Sequence, residues 1–165
     1  MAPGRELVVV GYDGSQGSEA ALRVAVREAR FRQARLRLVS AWHVPTYAYG
    51  SLAVPAVATG LGEDLRRELD GLLESAVSRL RDVESDLPID SRLVEGAAAS
   101  VLISESAGAD LLVVGSRGLG GFRELLLGSV SHQCALHASC PVLIVPPEAA
   151  PAARRAEIDA SRQPI

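Results

Sequence analysis

GSRGLGGFRELLLGSVS, residues 115–131, joins an aliphatic run, Leu111 to Val114, to a helix-compatible stretch that begins near Gly128 and Ser129. A buried-looking strand, a glycine-punctuated passage and a helix start in that order form an anion-binding pattern. Glycines let amide N–H groups approach an anion with no Cβ between them, and the first turn of a helix leaves about four N–H groups without internal acceptors. The helix dipole adds to their pull on negative charge. A plain surface connector would carry the same glycines, so the spacing by itself leaves both readings open.

Two common nucleotide signatures are excluded. A P-loop requires a lysine after its second glycine, and the chain contains none. Gly118-Leu119-Gly120 opens like a dinucleotide fingerprint, but Arg123 stands where the third glycine belongs.

The spacing that does fit is Gly115, two residues, Gly118, nine residues, Gly128-Ser129, which resembles the nucleotide-binding motif of the universal stress protein family. Three other stretches carry the same resemblance: Val8-Val9-Val10-Gly11-Tyr12-Asp13-Gly14-Ser15, Ala109-Asp110-Leu111-Leu112-Val113-Val114-Gly115-Ser116, and Cys140-Pro141-Val142-Leu143-Ile144-Val145-Pro146. They are similar to the family's first strand with its acidic turn, its fourth strand and its last strand. The likeness runs from residue 5 to about 147 and is to the ATP-binding branch.

Around these stretches the pattern alternates between strand and helix. Residues 5–11 are an apolar run, and SEAALRVAVREARF places Ala21, Val24, Ala25 and Ala29 on one helical stripe. Residues 35–41 alternate into a second strand, with Leu36, Leu38 and Ala41 assigned to one layer. Two prolines, two glycines and two tyrosines mark residues 43–60 as a long loop or lid. A helix follows to about Val83, with Leu65, Leu69, Leu72, Leu73, Ala76 and Leu80 on its apolar side, and Pro88 stops it. A third strand (89–94), a third helix (97–107), the fourth strand (111–115), a fourth helix (128–137) and a fifth strand (141–145) complete the chain's ordered part.

Such repetition predicts an α/β fold, a three-layer open sheet of five parallel strands with four helices. The resemblance implies the strand order 3-2-1-4-5 and a Rossmann-type, adenine-nucleotide alpha hydrolase-like architecture. In that order the direction of winding reverses between strands one and four, and ligands bind outside the carboxyl ends of the strands flanking such a reversal. Asp13 follows strand one and the glycine passage follows strand four, so both signals point at one crevice.

The expected site is a nucleotide cradle. Backbone amides at Gly118 to Gly121 and at Gly128, Ser129 and Val130 face phosphate oxygens, the Ser129 and Ser131 hydroxyls add donors, and Arg117 and Arg123 add charge where they are not simply solvated. Asp13 is suited to the ribose hydroxyls or to a water on a bound magnesium ion, and equally to an Asx-turn or helix cap. The resemblance implies that the main chain of Ala41 reads the base, that Gly11 and Tyr12 line its pocket, and that Gly115 opens the motif. The cofactor so implied is ATP, or ADP or AMP, with Mg. A catalytic constellation is harder to find. His132 and His137 differ by about 140° around a helix, and no Gly-x-Ser-x-Gly elbow occurs, so the reading is a nucleotide-dependent regulatory protein of the stress response. A slow ATPase or autophosphorylating enzyme using the same residues is the first alternative, and an interaction module with an empty site the second.

Bulk properties agree with this. At 165 residues, 48 % hydrophobic but only 4 % aromatic, the chain must build its core from Val, Leu, Ile and Ala, as buried parallel strands do. A net charge of −3 argues against nucleic acid as a partner. No apolar run approaches the roughly 18 residues that span a bilayer, and no signal-peptide pattern opens the sequence, so no membrane partner and a cytoplasmic location are expected. Cys134 and Cys140, separated by five residues, fit neither a redox motif nor a zinc site and read as reduced thiols. Residues 1–147 form the domain and 148–165 a flexible tail. The last strand, Val142 to Val145, would leave an apolar sheet edge uncovered, so a homodimer paired along it is expected, and the resemblance implies the same. A regulatory role also implies a protein partner, which the residues do not specify.

Overall fold

A computed structural model of the chain describes residues 6–43, 46–49, 52–55, 61–118 and 127–147. The elements are β1 (Leu7–Gly11), α1 (Gln16–Phe31), β2 (Arg35–Trp42), β3 (Thr46–Tyr49), β4 (Leu52–Pro55), α2 (Leu61–Val83), β5 (Ile89–Glu95), α3 (Ala98–Glu105), β6 (Leu111–Gly115), α4 (Ser129–His137) and β7 (Val142–Val145). β5, β2, β1, β6 and β7 form one sheet in that order, and every pairing within it is parallel. Setting β3 and β4 aside, this is the expected order 3-2-1-4-5.

Both faces of the sheet are dry, which is why its central strands are aliphatic without polar alternation. Val8 and Val10 of β1, Leu36 and Leu38 of β2, and Leu111 and Val113 of β6 enter one core cluster with α1 and α2. Val9, Val39, Leu112 and Val114 enter the other with Val101 and Leu102 of α3 and Cys134 of α4. Ala41 belongs to this second layer, not to that of Leu36 and Leu38 as expected. A strand's period of two places residue 41 with 39, not with 38. Arg37 shares its parity, and its guanidinium, only 11 % exposed, donates to Asp90 Oδ1 at 2.6 Å while Glu105 of α3 lies 3.8 Å away. Arg37 is thus the one strongly shielded cation on the β2 face, and it is neutralised from both the neighbouring strand and the covering helix.

α1 lies close against the sheet because its inner face is small. Ala21, Ala25 and Ala29 have no exposed surface. Its start is fixed by Ser15, whose side chain accepts from the Ser18 amide at 3.2 Å, and its end by Gln33, which turns to φ 54. From α2 the buried core members are Leu73, Ala76 and Val77, with Leu72 and Leu80 packed partly against them.

Residues 43–60 depart from expectation. β3 and β4 pair antiparallel within that stretch, with Tyr47 opposite Val54 and Tyr49 opposite Leu52, so a hairpin stands where a loop is predicted. The tail from 148 and the first five residues lie outside the described residues. None of the described helices is long and apolar enough to cross a membrane.

Candidate functional site

The winding reversal lies between β1 and β6, and a hollow of about 540 Å³, counting the part open to solvent, sits at their carboxyl ends. β1 contributes Gly11 and the following Tyr12 and Asp13, β2 contributes Val39 and Ala41, α3 Ala98 and Leu102, β6 Val114 and Gly115 with Arg117 and Gly118 after it, and α4 Val130. The apolar members collect on the α3 and α4 side. The polar ones, Asp13, Ser15 and Ser18, belong to the turn before α1 and to its first residues.

The turn after β1 and the passage after β6 meet closely. A Cβ on Gly17 would lie 2.1 Å from the Arg117 carbonyl oxygen, and one on Gly115 would lie 2.7 Å from the Gly17 carbonyl. A Cβ on Gly118 would lie 2.7 Å from Asp13 Oδ2. The first two glycines therefore let the backbones of α1 and β6 approach, and the third lets the Asp13 carboxylate lie close against the chain. Asp13 Oδ1 accepts from the Ser15 amide at 3.0 Å, an Asx-turn, while the helix cap falls to Ser15 and not to Asp13.

The far foot of the glycine passage is pinned to its near foot. The Gly128 amide donates to the Ser116 carbonyl at 2.7 Å, and Ser116 in turn donates to Val145 of β7 at 2.7 Å. The Ser131 hydroxyl, 2 % exposed, lies 3.0 Å from the Ser116 carbonyl and 2.9 Å from that of Gly128. The hydroxyl thus closes the base of the loop through these two carbonyls. α4 begins at Gly128 with no side-chain cap, so the amides of its first turn have no helical acceptor.

Of the residues singled out in the sequence, Gly11, Tyr12, Asp13, Ala41, Gly115, Arg117, Gly118 and Val130 line the hollow. Gly128, Ser129 and Ser131 frame it at the start of α4 without lining it, and Gly121 and Arg123 lie outside the described residues. Val39, Ala98 and Leu102 are wall residues that no motif marks, Val114 is marked only as part of a strand, and Trp42 does not line the hollow. Among the described residues no three His, Cys, Asp or Glu side chains gather as a metal site. A magnesium ion would have to be held by ligand phosphates together with Asp13.

Tyr12, just past the end of β1, is one of the residues lining the hollow and, 3 % exposed, also belongs to the α1 and α2 core. There its hydroxyl donates to Glu19 Oε1 at 2.5 Å, and Arg79 of α2 approaches both Glu19 at 3.1 Å and the hydroxyl at 3.3 Å. Burial first, and the Glu19 carboxylate second, push the Tyr12 phenol up to about 12. Burial pushes the Glu19 carboxyl up, but its bonds from Tyr12 and Arg79 outweigh that and hold it below its ordinary value. A phenol whose folded pKa exceeds the unfolded value of about 10 contributes stability that is complete below pH 10 and lost as the pH rises through 12. Folding stability should therefore fall by on the order of 3 kcal/mol more in the native chain than in Tyr12→Phe between those limits. Denaturant melts at stepped pH, paired with absorbance of the tyrosinate, measure the difference.

Burial likewise pushes the Cys134 thiol up to about 11, with Cys140 nearby adding to it. Cys134 is fully buried and Cys140 half-buried, and both are free.

Comparison with known proteins bears on this geometry. The universal stress protein family model matches residues 5–146. The chain is 32 % identical over 143 residues to the universal stress protein YxiE of Bacillus subtilis, covering 84 % of this chain and 97 % of that protein. Universal stress protein UspA from Lactobacillus plantarum superimposes with a TM-score of 0.73 at 22 % identity, covering 87 % of this chain and 99 % of that one. A universal stress protein solved in complex with cAMP superimposes with a TM-score of 0.62 at 30 % identity, over 87 % of this chain and 98 % of that one.

Proposed function

The chain belongs to the universal stress protein family, and from that premise we propose that it is a regulatory protein that binds an adenine nucleotide, ATP with magnesium in its full form, in the hollow between β1 and β6. The observation that carries this reading is the facing pair of Asp13 and Gly118, a carboxylate opposite a residue without a side chain, at the strand reversal. The base fits the apolar side formed by Ala41, Ala98, Leu102 and Val130, and the phosphates fit the uncapped first turn of α4 and the amides around Gly118. The relative that holds cAMP supports an adenine nucleotide as the ligand class.

Isothermal calorimetry on protein stripped of nucleotide is the test. Mg-ATP, ADP and AMP titrated separately should give saturable heat for at least one of them, reduced at least tenfold in affinity by Asp13→Ala. Absence of heat from all three at millimolar concentration removes the reading. The proposal includes self-association along β7, which lies at the end of the sheet with Val142, Leu143 and Ile144 only half-buried.

A further inference from the structure

The nucleotide turn is held from the opposite side of the sheet. Resting on the reading above, we propose that Glu19 and Arg79 are positioning residues for the nucleotide site: they grip the Tyr12 hydroxyl on the α1 and α2 face and thereby fix the main chain that carries Asp13.

Three observations converge on this. The Tyr12 backbone is immobilised at both polar atoms, its amide donating to Val39 at 2.9 Å and its carbonyl accepting from the buried Ser40 hydroxyl. The next residue is Asp13, whose side chain closes the turn onto Ser15. The ring then leaves the turn in the other direction, and its only polar atom ends on Glu19 and Arg79. Rotation of the Tyr12 peptide would break the Val39 and Ser40 bonds and swing the phenol out of its seat at once, so the grip at one end restrains the other. Glu19 belongs to the first turn of α1, one of the segments packed on the glycine passage through Gly17. Arg79 comes from α2, sixty residues further on, and is 61 % exposed, so it contributes little to the core. An exposed arginine that touches a buried phenol and its half-buried carboxylate partner is poorly explained as a stability device, since surface ion pairs add little. It is well explained as the third point of a clamp that fixes a phenol's direction.

The experiment uses the full chain and Mg-ATP, ADP and AMP as probes, all at a temperature where every variant is folded by circular dichroism. Arg79→Met should weaken binding of the nucleotide that the native chain binds by about fivefold to tenfold, Arg79→Lys should recover most of the loss, and Tyr12→Phe should match Arg79→Met. In an Asp13→Ala background Arg79→Met should add nothing further, because the clamp acts through that residue. Arg79 is mostly in solvent, so its variants keep the fold even if Tyr12→Phe does not. If the native chain binds no nucleotide, the site reading fails and this inference with it. If the native chain binds and Arg79→Met binds as well, or its loss adds to that of Asp13→Ala in full, the clamp is refuted while the site stands.

Discussion

Gly17→Ala should unfold this protein well below its native transition, although it adds a single methyl group. The ideal Cβ at residue 17 falls 2.1 Å from the Arg117 carbonyl oxygen, a backbone atom that no rotamer change can remove. Overpacking a well-filled site costs about 1–3 kcal/mol and more when backbone must shift. Here the N-terminal turn of α1 has to back away from the end of β6, so a loss of about 3 kcal/mol, or roughly 10 °C in melting temperature, is expected. Gly115→Ala should behave alike, since its Cβ would lie 2.7 Å from both carbonyl atoms of Gly17. The matched control is Gly71→Ala on α2, where nothing among the described residues lies within 4 Å. That change should stabilise by up to about 1 kcal/mol, because alanine is the better helix former and meets no obstacle. Thermal melts of the three variants decide it. Equal stability of Gly17→Ala and Gly71→Ala would mean that α1 and β6 do not touch at this point.

The same contact shows where sequence reading reaches its limit. The parallel strands were legible because β1, β6 and β7 are aliphatic runs between turn residues and β2 and β5 are short segments between a helix and a turn that carry strand residues. Asp13 and Gly118 were legible because each follows such a run at the end where loops carry ligands. Gly17 was not. Its neighbours, Ser15, Gln16 and Ser18, describe a helix start, and nothing local says that another segment, a hundred residues later, presses against it. The direction of the Ser131 hydroxyl was not legible either. A hydroxyl in the first turn of a glycine-led helix suits an anion, but at this position it points back at the loop's own carbonyls. The β3–β4 hairpin had a usable signal that the prolines obscured. Tyr47 and Tyr49 alternate as strand residues do, and Gly50-Ser51 is the right length for a hairpin connection. Pro55 ends β4 in register with Thr46, a position at the end of a two-stranded edge where a missing donor is tolerated.

Gly118→Val tests the site instead of the fold, and the contrast with Gly128 explains why. A Cβ on Gly128 meets the Ser116 carbonyl at 3.2 Å, the same oxygen that accepts the Gly128 amide, so a side chain there pries open the base of the loop. Loss of binding in a Gly128 variant would then be ambiguous. Among the described residues a Cβ on Gly118 meets only the Asp13 carboxylate, with Oδ2 at 2.7 Å, the tip of a side chain that can rotate aside. Valine at 118 should therefore leave the melting temperature within a few degrees of native while filling the space where the proposed phosphate and its metal would sit. On the nucleotide reading, affinity should fall at least a hundredfold, about 3 kcal/mol, since the branched side chain removes volume and turns the Asp13 carboxylate away together. Gly118→Ala should fall between native and valine, because one methyl displaces the carboxylate and leaves part of the hollow free. A graded loss across alanine and valine at constant stability places the effect at the Asp13 and Gly118 pair and not in the fold. Native affinity in Gly118→Val, measured on protein with a native melting curve, would move the nucleotide out of this hollow and leave the Asp13 and Gly118 pairing as a packing device of the fold.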